Sequence, residues 1–148
     1  MGAAQASDYL ENLIIDHLFR GRTWTKPPGP HYLALFTAAP TDAGGGTEVG
    51  AGLGYARVAV ALGDATWSAT QGGTSGNSSG TSGQTTNAAL IQFGTPTGNW
   101  GTLTHFGIFD AASGGNLLIW DALTAPVTVV VGGPPPSFPA GSLAIVVA

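Results

Sequence analysis

Cysteine is absent and charge is scarce. Without cysteine the chain has no disulfide framework and no thiolate zinc site, and its redox compartment leaves no mark on it. Four Lys/Arg stand against eight Asp/Glu in 148 residues, a formal net charge of −4. That excludes a nucleic-acid surface, which needs clustered cations to displace the counterions of phosphates. No apolar run approaches the roughly 18 residues of a membrane helix, so no membrane contact is expected. Residues 1–7 lack both a basic start and an apolar stretch, so no signal peptide is expected. Three histidines and a few scattered carboxylates are poor material for a catalytic centre, which needs ionisable groups that converge.

What is present is glycine (24 residues), proline (10 residues) and short apolar runs between them. The length fits a single domain over 1–148. A chain of this size buries about 70% of the surface its unfolded form exposes, so a core forms without staples. Solubility ordinarily rests on charge. A chain this neutral is expected to hide part of its surface in an assembly.

Residues 8–20 predict the one helix. Asp8 with Glu11 reads as an Asp variant of the capping box, and Gly21 as the stop. Leu10, Leu13, Ile14, His17 and Leu18 recur at helical spacing, with Ile15 and Phe19 widening the apolar face. That face should cover a sheet or dock on a neighbouring subunit. Arg20, Arg22 and Lys26 read as a solvated helix end, where cations suit the dipole.

After the break at Pro27, Pro28, Gly29 and Pro30, short strands are expected at 31–38, 56–62, 88–93, 103–109, 116–123, 127–131 and 143–147, with 103–109 and 116–123 forming a hairpin. The fold class is all-β, a β-sandwich or jelly roll over 31–148 with one N-terminal α-helix. The uncharged Gly/Ser/Thr/Asn/Gln tract at 68–87 reads as a flexible polar insertion.

Several strands are apolar on both faces. Tyr32, Ala34 and Phe36 oppose Leu33 and Leu35, and Leu118 and Trp120 oppose Leu117 and Ile119. A sandwich sheet needs only one apolar face. The second must be covered by the helix, a loop or another chain, which is the sequence argument for oligomers. The candidate interface residues are Leu10, Leu13, Ile14, Leu18, Arg57, Trp120 and Asp121. Arg57 is the lone cation after Lys26, and Asp121 is either solvent-facing or its ion-pair partner at an interface, since an unpaired charge there is costly.

Tests for chemistry come back empty. No Gly-x-Ser-x-Gly elbow occurs, and His105 and Asp110 fall on opposite faces of a strand. Asp42 and Glu48 share a Gly-rich loop without EF-hand spacing, so Asp42 reads as a turn former, as does Asp110. Trp24, Trp67, Trp100 and Trp120 are spread along the chain, which argues for core or subunit packing over a sugar-binding module or hydrolase. No catalytic residue, cofactor or metal is expected.

Three segments carry a family likeness. They are Ser7-Asp8-Tyr9-Leu10-Glu11-Asn12 with the helix after it, residues 31–42 running on to Glu48 and Gly54-Tyr55-Ala56-Arg57, and residues 100–111 running into Gly114-Gly115-Asn116-Leu117-Leu118. Together they resemble a family of small tailed-bacteriophage virion proteins, tail-fibre-like and in some phages head decoration or cement proteins. The resemblance implies a structural, non-enzymatic role. The first expectation is a homotrimeric cement protein on the outer surface of the head, bridging major capsid protein subunits through the helix face, the 42–54 loop, the 68–87 tract and the 134–139 turn. The alternative is a tail-fibre or tail-tip component that contacts the host receptor.

Overall fold

The computed structural model of the chain describes residues 4–24 and 29–147, so Lys26, Pro27 and Pro28 lie outside it. In chain order the elements are β1 (Gln5–Ala6), α1 (Asp8–Phe19), β2 (His31–Ala38), β3 (Thr47–Glu48), β4 (Val58–Val60), β5 (Gln84–Thr86), β6 (Ile91–Gln92), β7 (Gly101–Phe109), β8 (Leu117–Val129), β9 (Ser137–Phe138) and β10 (Ala144–Val146). The main sheet has the order β1-β8-β7-β2-β3, with β4 sharing the outer edge of β2, and its pairings are antiparallel. Two separate ribbons, β5–β10 and β6–β9, take the place of a second continuous sheet. The chain is thus mostly antiparallel β with one N-terminal helix.

Strand period decides the faces. Leu33 pairs with Ile108 and Leu35 with Phe106, so these four point to one side. There they form the core with Ile91, Phe93, Leu143 and Ile145 from the ribbons and the segments beside them, and Phe138 meets Phe106 edge to face at 6.5 Å. The residues between them point the other way, and they too are buried: Ala34 and Phe36 are 0% and 2% exposed. The chain itself covers this second face. Phe36 stacks on Phe109 at 6.2 Å and the Arg57 guanidinium lies 3.6 Å above the Phe109 ring. Gly107 leaves room for this layer, since a Cβ there would stand 2.9 Å from both Leu117 Cδ1 and Phe36 Cε2. Two apolar faces on β2 therefore need no neighbouring subunit.

The expected strands at 116–123 and 127–131 are one strand, β8, with a bulge. His105 pairs with Ala122 and Leu103 with Val127, so Thr104 alone faces Leu123, Thr124, Ala125 and Pro126. Pro126 has no N–H to give a ladder, which suits a bulge. The polar tract also carries structure: β5 lies within it and pairs with β10, while Ser68 N–H donates to Thr86 O at 2.9 Å.

The helix begins one residue earlier than a capping box on Asp8 requires. The cap is Ser7, in extended conformation, whose hydroxyl accepts from Leu10 N–H at 3.2 Å and donates to Leu117 O. Asp8 and Glu11 then occupy the first turn, where the dipole favours them. Gly21 adopts φ +65° and ends the helix as expected. No helical residue is fully buried. Leu10, Leu13 and Ile14 are half-buried, whereas Leu18, expected on the packed face, is 65% exposed.

Gly54 is required by both conformation and space, with the shortest clash of any such glycine among the described residues. Gly54 has φ +80°, and a Cβ there would fall 2.0 Å from Thr95 O. Gly54→Ala is expected to cost about 2 kcal/mol or more in chemical denaturation, because a left-handed backbone and a backbone clash must both yield.

Candidate functional site

A polar concavity lies on the second face of the sheet. It is a recess of about 630 Å³ between the start of α1, the glycine turn at 43–46, and the turn joining β7 to β8, and Glu48, Arg57 and Phe109 line it. The 42–57 segment reaches it because β3 and β4 flank β2 on the same edge, which brings Glu48 and Arg57 side by side.

Arg57 is fastened from three sides. Its Nε and Nη2 donate to Glu48 Oε1 and Oε2 at 2.8 and 2.7 Å, a bidentate pair. Its Nη1 donates to Ala111 O and Gly114 O at 2.9 and 2.8 Å. Its plane lies over Phe109. The side chain is 8% exposed. Glu48 Oε1 also accepts from the Tyr55 hydroxyl at 2.9 Å, and that hydroxyl accepts from Leu35 N–H at 3.1 Å. Tyr55 stacks on Phe93 and meets Trp100 edge-on, and Trp100 Nε1–H donates to Leu53 O at 2.7 Å.

This arrangement ties loops together. Four donor positions of Arg57 are occupied by its own chain, and Glu48 is held by two residues, so neither is placed to move a proton or clamp a ligand. Burial, and secondarily the Glu48 charge, push the Tyr55 phenol well above its ordinary 10.0, against the lowering pull of the Leu35 bond. The folded chain keeps a proton that the unfolded chain releases near pH 10, so stability from this group is whole below about pH 10 and falls as pH rises beyond it. Denaturation between pH 8 and 11 should show that alkaline loss. Tyr55→Phe should abolish it, at a cost of about 1–2 kcal/mol near neutrality from the orphaned Leu35 N–H.

The sequence-derived candidates do not converge. Arg57 pairs with Glu48 of its own chain, and Asp121 is in no ion pair among the described residues. Register explains this: Asp121 pairs with Phe106 and shares its core-side face, whereas Arg57 lies over Phe109 on the other. Nor does Asp121 face solvent. It is 9% exposed, its Oδ1 accepts from Ala122 N–H at 2.7 Å, and its Oδ2 has no partner. Trp120 is half-buried and donates from Nε1 to Asp42 Oδ1 at 3.3 Å. The turn at Asp42 is closed by Thr41, whose hydroxyl donates to Gly44 O at 2.7 Å. Asp110 does close its turn, accepting from Asn116 N–H and Nδ2 at 2.7 and 2.8 Å. Leu10 and Leu13 line an apolar cavity of about 330 Å³ between α1 and the sheet. His17 Nδ1 bonds to Arg22 O and His105 Nδ1 to Thr104 Oγ1. Among the described residues no group of His, Asp and Glu is arranged to hold a metal ion. What sequence reading missed was Glu48 as the partner of Arg57, and proximity along the chain was no guide, because Asp64 lies nearer to Arg57 in sequence than Glu48 does.

A protein-family model described as Podophage GP4 fiber I protein gp80 matches residues 5–146. No curated protein matches the chain.

Proposed function

The chain belongs to the podophage GP4 fiber I protein gp80 family, and from that premise we propose that it is a building unit of a tail-borne fibre, joined to other fibre or tail proteins. Membership makes it a structural component of a phage virion, present as part of a fibre, in a non-enzymatic family. The single observation that carries the reading is the extent of the match, which runs from β1 to the end of β10. The fibre description favours the second of the two placements drawn from the sequence. Bridging of major capsid protein subunits on the head gains nothing from it.

The fold supports a mechanical part. Arg57 and Glu48 of the polar recess are spent on holding its own walls. Gold-labelled antibody against the chain, viewed on intact particles, tests the placement. Label at the tail in few copies per particle is the expected result. Label spread over the head in the copy number of a shell protein would overturn it.

A further inference from the structure

The outer edge of β8 is left open over most of its length. Among the described residues β1 pairs with it at Ile119 and Trp120, Ser7 N–H donates to Leu118 O at 2.9 Å, and no strand pairs with it from Asp121 onward. Ala122 and residues 124–128 are exposed. An open edge is a row of backbone donors and acceptors with which an extended segment of another chain can pair. Asp121 stands where that row begins. Backbone groups along an antiparallel strand turn to alternate sides. Those of Leu118 and Trp120 turn to β1, so Ala122 N–H turns outward, away from β7, two residues beyond the last β1 pair. It donates to Asp121 Oδ1 at 2.7 Å. Asp121 is turned to the core side with Phe106, is 9% exposed, and has no partner for Oδ2. A buried, half-satisfied carboxylate costs stability. Water would serve the N–H of an exposed alanine without that cost.

We infer that Asp121 guards this edge against the strands of further copies of the chain. An incoming strand would have to take Ala122 N–H from Asp121, and both carboxylate oxygens would then lie under it without a donor. The rest of the edge is blunted in two other ways. The bulge sets residues 123–126 against Thr104 alone, and Pro126 has no N–H to offer. An inward-turned charge, a bulge and a proline are separate defences of a sheet edge, and β8 carries all three. The chain needs a local defence because it has little general one. Its net charge of −4 over 148 residues gives only weak repulsion between copies. This role is independent of where on the particle the chain is mounted.

Sedimentation and amide hydrogen exchange of the purified full chain test this. Asp121→Ala is expected to keep the wild-type circular dichroism and a urea midpoint no lower than wild type. It should nevertheless sediment as larger species at concentrations where the wild type does not, with the amides of 122–128 protected in them. Asp121→Leu, apolar and close to aspartate in shape, should do the same. Adding Thr124→Lys puts a charge back on the same edge and should return Asp121→Ala to wild-type sedimentation, whereas Ser75→Lys, in the exposed polar tract, should not. Wild-type sedimentation of both Asp121 variants would overturn the guard. So would larger species that leave 122–128 unprotected, or that the two lysines disperse equally. A lowered urea midpoint in both variants would overturn it as well, since the carboxylate would then be holding the fold.

Discussion

Replacing Arg57 with alanine is expected to cost about 3–5 kcal/mol, the largest loss available from any single charged residue here. The argument is one of uncompensated burial. Glu48 would keep its charge in a half-buried site with only the Tyr55 hydroxyl as donor, and Ala111 O and Gly114 O would lose theirs. Phe109 would lose the plane that covers it. Lysine should recover little, because an ammonium cannot grip both carboxylate oxygens while reaching two carbonyls and lying flat on a ring. Equilibrium denaturation in urea reads this directly, with a fall in melting temperature of about 10 °C as its counterpart. A loss under about 1 kcal/mol would mean that the knot is solvated and ties nothing together.

Asn87→Ala is expected to cost about 3 kcal/mol, for a different reason. Asn87 is 1% exposed and fastens the foot of the polar tract to the C-terminal segment. Its Nδ2 reaches Ala89 O, Phe138 O and Pro139 O at 2.9, 3.0 and 2.9 Å, and its Oδ1 accepts from Leu143 N–H at 2.9 Å. An amide has two hydrogens, so one of them is shared between carbonyls. Alanine would leave buried carbonyls and a buried N–H without partners. Asn87→Asp should be worse than alanine, because a carboxylate would turn an acceptor towards three carbonyl oxygens. Thermal melts of the two variants give the order. Alanine falling below aspartate would show that the buried donors are not what matters.

The regular elements were legible because their signals are local. The alternation through residues 31–38 and the hairpin of 103–109 with 116–123 appear where the period of two placed them. The helix is found over Asp8–Phe19, one residue short of the expectation. What escaped depends on distant contacts. Whether Phe36 needs an outside partner turns on Phe109, whose ring stacks on it only once β7 is laid on β2. The Arg57–Glu48 pair needs β3 and β4 to share one edge of β2, an arrangement that no short window contains. That Asp121 lies on Phe106's side of the sheet, away from Arg57 of its own chain, follows from the register and from no local signal. Asn87 was hidden at the end of a stretch whose composition speaks only for loop, although its fourfold bonding makes it a hub. The helix was half visible: its apolar residues mark a packing face, but which of them stay exposed follows only from how α1 lies on β8.

Amide hydrogen exchange, compared between the isolated chain and the assembled fibre, tests most directly whether the chain closes its own second sheet face. The expected result is slow exchange at Leu35 and through 110–116 in both states. Rapid exchange at Leu35 and 110–116 in the isolated chain, slowed only in the fibre, would contradict it, for then a neighbour and not Arg57 would be closing that face.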